Sequence, residues 1–337
     1  MKISVVIPTY NSAAFIQATL ESVLHQTVQP DEILVMDDGS SDSTVSILNN
    51  YKPQITVFRQ QNKGVASARN KLCELAQGEL IAFLDHDDIW HPSYLETQLR
   101  LFADYHSAVA FFTGHVNFFG YGVYDWNSNT PKNLLNDIKV MNPLSFINQY
   151  NKTTGYFASM SYCCIPKKVL MEIGPEPFCV SGADDFYLFN LLPLLGPVVY
   201  VTVPLVAYRM IAAGQSENLI KSLALALQAF ELLEIRYKAA HDKSLCKSFE
   251  IAFASKRRHY AKTLMGVGKT SQARKQLLYS LKNINYPVSF AKSLALLLAA
   301  YMPSPLQPKW PPAYRESDLF DPKMKEKESL IVESMDK

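Results

Sequence analysis

The sequence predicts an α/β protein: a mostly parallel sheet with flanking helices over residues 1–215, a C-terminal α-helical region over 216–302, and an extended tail over 303–337. Three observations predict it. Short apolar runs alternate with helical patterns roughly every 20 to 30 residues, the rhythm of right-handed βαβ units with parallel strands. Several of those runs are continuously apolar, as in a sheet covered on both faces. From about residue 217 the apolar spacing becomes helical alone, through Leu219, Leu223, Leu227, Phe230, Leu233 and Tyr237.

Taken in order, residues 3–7 read as a first strand, stopped by Pro8-Thr9-Tyr10-Asn11. Asn11 or Ser12 then caps a helix whose apolar face is Phe15, Ile16, Leu20, Val23 and Leu24. Pro30 breaks the chain, and residues 32–36 form a second strand that runs straight into Asp37-Asp38-Gly39-Ser40-Ser41-Asp42, ahead of a short helix through Val45 and Leu48. A third strand covers 54–59, and a helix over 64–76 carries Arg69. The fourth strand, 81–84, ends abruptly in Asp85-His86-Asp87-Asp88. His91-Pro92-Ser93 opens a helix through Leu95, Leu99 and Phe102, and 107–112 read as a fifth strand.

Residues 115–155 carry Phe118, Phe119, Tyr121, Tyr124, Trp126, Asn127 and Asn129, which suits a loop that either stacks a ligand on an aromatic ring or packs on its own aromatics. A strand over 159–165, a helix over 167–173 closed by Gly174, a helix opened by Asp184-Asp185, and a last strand over 198–207 ending in Tyr208-Arg209 complete the sheet domain. Further helices fall near 245–265 and 270–283. Gly268-Lys269-Thr270 has the ending of a P-loop, but Thr263 stands where its first glycine belongs and a helix precedes it, so that motif is rejected.

Composition bounds the function. With 33 Lys+Arg against 31 Asp+Glu the chain carries a net charge of +2, which gives no bulk electrostatic basis for a nucleic-acid partner. Five cysteines without C-x-x-C spacing point to reduced thiols in a cytoplasmic setting, and the adjacent Cys163-Cys164 to small buried hydrophobes. Lys2 is followed by a strand-like run that Pro8 ends, which is not the pattern of a signal peptide. No apolar run approaches the ~20 residues of a membrane span. Lys292 with Leu294–Leu298 suits either a buried helix or peripheral contact with a bilayer at the inner face of the cell membrane. No G-x-G-x-x-G follows the first strand, so a dinucleotide oxidoreductase is not expected.

Three strands thus deliver polar residues to one sheet edge: Thr9 to Asn11, Asp37-Asp38, and Asp85 to Asp88. Open α/β sheets bind ligands at the carboxyl ends of their strands. Asp-x-Asp there offers hard oxygen donors suited to Mg²⁺ or Mn²⁺ with a phosphorylated ligand, while a solvated acidic turn before a helix is the plainer alternative for that motif alone.

The order Val-Val-Ile-Pro-Thr-Tyr-Asn, Glu-Ile-Leu-Val-Met-Asp-Asp-Gly-Ser-Ser-Asp, Asn-Lys-Gly-Val-Ala-Ser-Ala-Arg-Asn and Phe-Leu-Asp-His-Asp-Asp closely resembles family 2 glycosyltransferases of bacterial type, with the Rossmann-like GT-A fold. The match is strong over about residues 1–115 and weaker to about 215. By that resemblance Pro8, Thr9, Tyr10 and Asn11 wall a nucleotide pocket, and of Asp37-Asp38 the second accepts a hydrogen bond from the base. Asp85 approaches the ribose, Asp87 binds the Mg²⁺ or Mn²⁺ that bridges the donor diphosphate, and Lys63, Gly64 and Arg69 lie on the donor side. Arg209 is a further candidate for the diphosphate, next to a closing loop at 212–216.

Asp185 aligns with the base of an inverting transfer and Asp184 is its neighbour, where Glu-Asp is commoner. The turn Gly174-Pro175-Glu176-Pro177-Phe178 departs from the family's Gly-x-Phe-Asp-Glu pattern. The Gln/Arg-x-x-Arg-Trp signature of processive synthases is absent, so transfer of a single sugar is expected. The resemblance implies a nucleotide-sugar donor, UDP by default with dTDP and GDP as alternatives. It implies a glycan or lipid-linked acceptor in cell-surface polysaccharide synthesis. Two rivals remain: a non-catalytic sugar-nucleotide or glycan-binding protein on the same fold, suggested by the altered turn, and a sugar nucleotidyltransferase, disfavoured because Pro8-Thr9-Tyr10-Asn11 is no Gly-rich loop.

Overall fold

In the computed structural model, which describes residues 1–126, 138–152, 157–210, 219–281 and 286–302, Ile3–Thr9 (β1) is buried at every position. It is a central strand because neighbours cover both its edges. On one side Glu32–Asp37 (β2) pairs in parallel, followed by Thr56–Arg59 (β3); on the other, Leu80–Phe83 (β4) pairs in parallel. The intervening helices are Ile16–Leu24 (α1), Thr44–Asn49 (α2) and Val65–Leu75 (α3). Ile16, Leu20 and Val23 of α1 pack into one apolar cluster with Val5, Ile7, Val35 and Leu84. The register sets Thr9 beside Asp37 and Asp37 beside Arg59, so the polar ends of β1, β2 and β3 emerge level at one edge.

Beyond β4 the sheet becomes mixed. Its order is β3-β2-β1-β4-β8-β6-β9-β5, with β7 on the flank of β9, where β5 is Ile89–Trp90, β6 Ala110–Phe119, β7 Ile138–Met141, β8 Cys163–Pro166 and β9 Val198–Met210. Tyr94–Asp104 (α4), Pro143–Lys152 (α5), Lys167–Ile173 (α6) and Asp184–Leu191 (α7) fill the connections.

Strand β8 runs antiparallel to both β4 and β6. Entered from the edge where β4 ends, it sets Ser161, in the short 3₁₀ turn Met160–Tyr162, against the residues that follow β4. The expected strand over 159–165 is therefore shorter, and reversed relative to its neighbours. Direction is not written in an apolar run, since both pairings bury the same side chains. Cys163 and Cys164 are fully buried as small hydrophobes.

The expected aromatic loop over 115–155 is corrected in part. β6 continues to Phe119, parallel to β9, with a bulge around Gly114. A Cβ on Gly114 would lie 2.3 Å from the Thr202 carbonyl oxygen, a clash no other residue escapes. β7 and α5 occupy further parts of the stretch; Asn127 and Asn129 lie outside the described residues, as do the expected loop at 212–216 and the tail at 303–337.

The chain clusters into two compact units, the first of Met1–Met210 with Gln228–Phe249. In that unit the later turns of Leu219–Ala239 (α8) and the first of Lys243–Gly266 (α9) complete the sheet domain: Phe186 meets Phe230, and the Tyr237 hydroxyl donates to the Asn190 carbonyl at 2.6 Å. The second unit holds the rest of α9 with Thr270–Ser280 (α10) and Pro287–Tyr301 (α11), around Ala261, Leu264, Ala273, Leu277 and Ala300. Among the described residues no helix is long and apolar enough to cross a membrane.

Candidate active site

The tips of β1 and β2 are sewn together by short polar contacts. The Asp38 amide donates to the Thr9 carbonyl at 2.8 Å, and the Thr9 and Ser12 hydroxyls share a buried hydrogen bond. Asn11 sits at φ +47°, a conformation Asn tolerates better than most residues. It is held there because its amide donates to Ser40 Oγ at 2.9 Å and its Oδ1 accepts from the Ser41 amide at 2.8 Å. Tyr10 projects outward, 45% exposed. The Pro8 carbonyl lies 3.4 Å from His86 Nδ1, which ties β1 to the segment after β4.

Asp37 and Asp38 are both buried and both already occupied. Asp37 forms an ion pair with Arg59 at 3.0 Å and accepts from the Ser40 amide at 3.1 Å. Asp38 accepts from the Lys63 amide at 2.9 Å, the Gly64 amide at 2.8 Å and Gln60 Nε2 at 2.7 Å. The carboxylate expected at a nucleotide base thus shapes the loop that opens α3. Gly64 is at φ +87°, and a Cβ there would meet Ser181 Oγ at 2.4 Å. Lys63 is exposed beside a cleft of about 790 Å³ lined also by Arg59, Asn70, Phe178 and Ser181. None of the acids after β4 or at the start of α7 lines that cleft.

From this fixed start, α3 points Arg69 inward. Its guanidinium is 5% exposed and ion-paired to Asp85 through Nη2 and to Asp184 through Nη1. Burial works against the charge, but the Asp184 and Asp85 carboxylates more than offset it and leave the Arg69 pKa above its ordinary value. One cation therefore joins the end of β4 to the first turn of α7, two acids 99 residues apart by their numbers (184 − 85). Ser161 adds a second tie, accepting from the Asp85 amide at 3.0 Å while its carbonyl accepts from Trp90 Nε1 at 2.8 Å.

The three acids after β4 differ in environment. Asp88 is fully buried; its Oδ1 accepts from the Arg209 amide at 2.9 Å, and its Oδ2 has no partner among the described residues. Burial, with Asp87 and Asp85 adding to it, pushes its pKa well above the carboxylate range. Asp87 accepts no side-chain or ion-pair contact among the described residues; burial raises its pKa, opposed by His86 and joined by Asp85. Asp185 is half-buried, accepts from the Phe186 amide at 2.6 Å, and is pushed up to about 6 by burial and the Asp184 carboxylate against the pull of Arg69.

Arg209 is 3% exposed; its Nε and Nη1 are held by backbone, while its Nη2 has no hydrogen-bond partner among the described residues. It donates to the carbonyls of Asp87, at 2.7 Å, and of Gly120 and Gly122, and lies over the rings of Phe118 and Phe15 at 4.3 and 5.1 Å. Two of its three nitrogens thus brace the Asp87 loop. The carbonyls that hold it lie 87 to 122 residues away in the chain, beyond any local signal.

Among the described residues no group of three or more His, Cys, Asp and Glu could hold a metal ion unaided. The donor set does fit a cation shared with a bound anion: Asp87 is a hard oxygen ligand, half-buried and without a side-chain partner among the described residues, which a divalent ion would relieve.

Asn70 is the residue sequence reasoning passed over. Its Nδ2 donates to the Phe178 carbonyl at 2.8 Å and its Oδ1 accepts from the Phe178 amide at 3.0 Å, the pairing of one strand with another made by a side chain. Phe178 is buried edge-on against Phe83. The departure at 174–178 therefore leaves the loop ahead of Asp184 anchored to α3. Adjacency to Arg69 in the Ala-Ser-Ala-Arg-Asn motif was the available signal.

The sequence pattern of glycosyl transferase family 2 matches residues 4–174, just over half of the chain. The chain belongs to glycosyl transferase family 2. Within the family it is similar to TuaG of Bacillus subtilis, named for teichuronic acid biosynthesis, at 41% identity over 117 residues, 34% of this chain and 46% of that protein. It is similar also to the UDP-Glc:alpha-D-GlcNAc-diphosphoundecaprenol beta-1,3-glucosyltransferase WfaP of Escherichia coli, at 40% identity over 100 residues, 29% and 40% of the two chains.

The chain spans less than half the length of these relatives. In fold it resembles residues 1–349 of S. aureus TarS in complex with UDP-GlcNAc, with a TM-score of 0.65 at 17% identity over 89% of this chain and 84% of that one. It also resembles the mannosyltransferase PcManGT of Pyrobaculum calidifontis in complex with GDP-Man and Mn²⁺, with a TM-score of 0.55 at 20% identity over 90% and 81%. The fold is a GT-A sheet with flanking helices, as described above, and C-terminal helices follow it in the chain.

Replacing Asn70 by Ala leaves the part-buried amide and carbonyl of Phe178 unpaired. The expected cost is about 1–3 kcal/mol of stability, read as a lower urea midpoint at unchanged slope.

Proposed function

We propose that the chain is an inverting, metal-dependent glycosyltransferase that moves one sugar from a nucleotide-sugar donor to a hydroxyl of a glycan or lipid-linked acceptor, in cell-surface polysaccharide synthesis at the cytoplasmic side. The observation that carries the reading is Arg69 bridging Asp85 and Asp184, which sets Asp185, an acid lifted to about 6, beside the strand tips. UDP is the default nucleotide; relatives and fold neighbours are named or titled with UDP-Glc, UDP-GlcNAc and GDP-Man. Residues 1–215 form the catalytic domain in this reading, and Thr9, Tyr10, Asn11, Lys63 and Gly64 belong to the nucleotide side.

Asp185 acts as the base. Its carboxylate takes the proton of the acceptor hydroxyl as that oxygen bonds the anomeric carbon and the bond from that carbon to the diphosphate breaks on the opposite face. A base with a pKa of about 6 is ionised at neutral pH yet strong enough to draw a proton in the transition state. Arg69 and Asp184 hold α7, and with it Asp185, in register with Asp85. Asp87, an acid without a side-chain partner among the described residues, would hold a Mg²⁺ or Mn²⁺ ion. Such an ion, when bound, neutralises charge on the departing diphosphate. Arg209 keeps the Asp87 loop in place through its carbonyls.

Two measurements check the reading. Asp185→Asn is expected to lower kcat by about 10²–10⁴-fold while donor binding is kept. In the wild type kcat falls below a pH of about 6, as the base is protonated, and is flat above it. Retained turnover in Asp185→Asn would remove Asp185 from the chemistry. With a panel of nucleotide sugars, Mn²⁺ is expected to add to the thermal stabilisation given by the matching donor, and Asp87→Ala to lose that added increment alone.

A further inference from the structure

The last described helix of the second unit is α11, whose two faces contradict the usual plan of a surface helix. Ser289, Ser293, Leu297 and Ala300 are buried. The polar contacts lie on that inner face: Arg258 Nη1 donates to Ser289 Oγ at 2.9 Å and to Ser293 Oγ at 3.2 Å. At the far end Arg274 donates to the Ala300 carbonyl through Nε at 3.1 Å and Nη2 at 2.8 Å, and its guanidinium lies 4.0 Å from the Tyr301 ring centre. The helix is pinned at both ends, so its outward face is fixed.

That outward face is apolar. Val288 is 69% exposed, Leu298 58% and Tyr301 60%, with Leu294 at 37% and exposed Ala291 and Ala295 between them. Lys292 is its one charge. A helix bathed in water carries polar residues there, and a contiguous apolar stripe marks a surface that meets something. At about 1.5 Å per residue, 15 residues reach about 22 Å, too short for a hydrocarbon core of about 30 Å but suited to lying in a lipid interface.

Charge identifies the partner. Residues 250–302, in the second unit, contain six Lys and three Arg against Glu250 alone, 9 − 1 = +8, while the whole chain is +2, leaving 2 − 8 = −6 for the remainder. Lys262, Lys269, Lys275 and Lys292 of this stretch are exposed. A second copy of so basic a unit would be repelled; an anionic surface is attracted, and an apolar helix face in a basic unit is a composition that binds one.

We infer that α11, with the exposed lysines of its unit, is a docking surface for a bilayer of anionic phospholipid. The inference does not rest on the transferase reading, since neither Asp185 nor the nucleotide side takes part.

Flotation of the full chain with vesicles tests it. Binding is expected to be about tenfold stronger to phosphatidylcholine vesicles that contain phosphatidylglycerol than to phosphatidylcholine alone, and to weaken with salt. The double variant Val288→Glu and Leu298→Glu is expected to lose about tenfold of that binding with unchanged thermal unfolding, because both side chains are exposed in the folded chain. Lys262→Glu with Lys275→Glu is expected to remove the preference for the anionic lipid. Absence of flotation at low salt overturns the inference, as does undiminished flotation of the Val288→Glu, Leu298→Glu variant. Light scattering that shows a dimer dissolved by that variant, without vesicle binding, assigns the face to a second copy instead.

Discussion

Arg69 sits buried with both ends of its guanidinium ion-paired, to Asp85 behind β4 and to Asp184 at the head of α7, and the rest of the site depends on that arrangement. A lone buried cation is costly, and here two carboxylates offset the loss of water. The position of Arg69 is itself set upstream. Asp38 grips the Lys63 and Gly64 amides, Gly64 alone accepts the geometry, and α3 then carries Arg69 to one place. Asn70, the next residue, fastens the loop through Phe178 that leads to α7. One helix thus positions both the strand-end acids and the pair at 184–185.

The aspartates show how burial and partners divide one residue type among several roles. Asp37 and Asp38 are satisfied by an arginine, a glutamine and backbone amides, and act as architecture. Asp88 is buried with its pKa driven well up, and fastens β9 through the Arg209 amide. Asp87 and Asp185 are the two left desolvated with little to relieve them, and their pKa values rise for that reason. Acids with perturbed pKa values are candidates for the places where chemistry is done. Asp185 and Asp87 therefore carry the proposed roles of base and cation ligand.

Much of this was legible in the sequence, and the limits have a physical cause. β1, β2 and β4 are built on apolar runs that lead into Thr9, Asp37 and Asp85, so their existence and the convergence of their tips followed from pattern alone, although β1 runs on through Pro8, where the sequence placed its end. The direction of β8 did not, because an apolar run is silent on it. The extension of β6 into the aromatic stretch depends on its ladder with β9, about 90 residues later in the chain (198 − 110 = 88 at the first pair). The bracing contacts of Arg209 were not legible, since its carbonyl partners at Asp87, Gly120 and Gly122 are known only from the fold. Asn70 stood inside a recognised motif and still went unassigned, because its partner is 108 residues away.

The central claim is that Arg69 and Asp184 stabilise the molecule through each other. A double-mutant cycle on unfolding free energy tests it most directly, with Arg69→Met, Asp184→Asn and the pair together. Each single change strands a buried charge or a polar partner, at an expected cost of up to about 3–5 kcal/mol. The double variant is expected to lose about 1–3 kcal/mol less than the sum of the two. Additive losses would contradict the account, because they would mean that the two residues contribute independently and that α7 is held against β4 by something else.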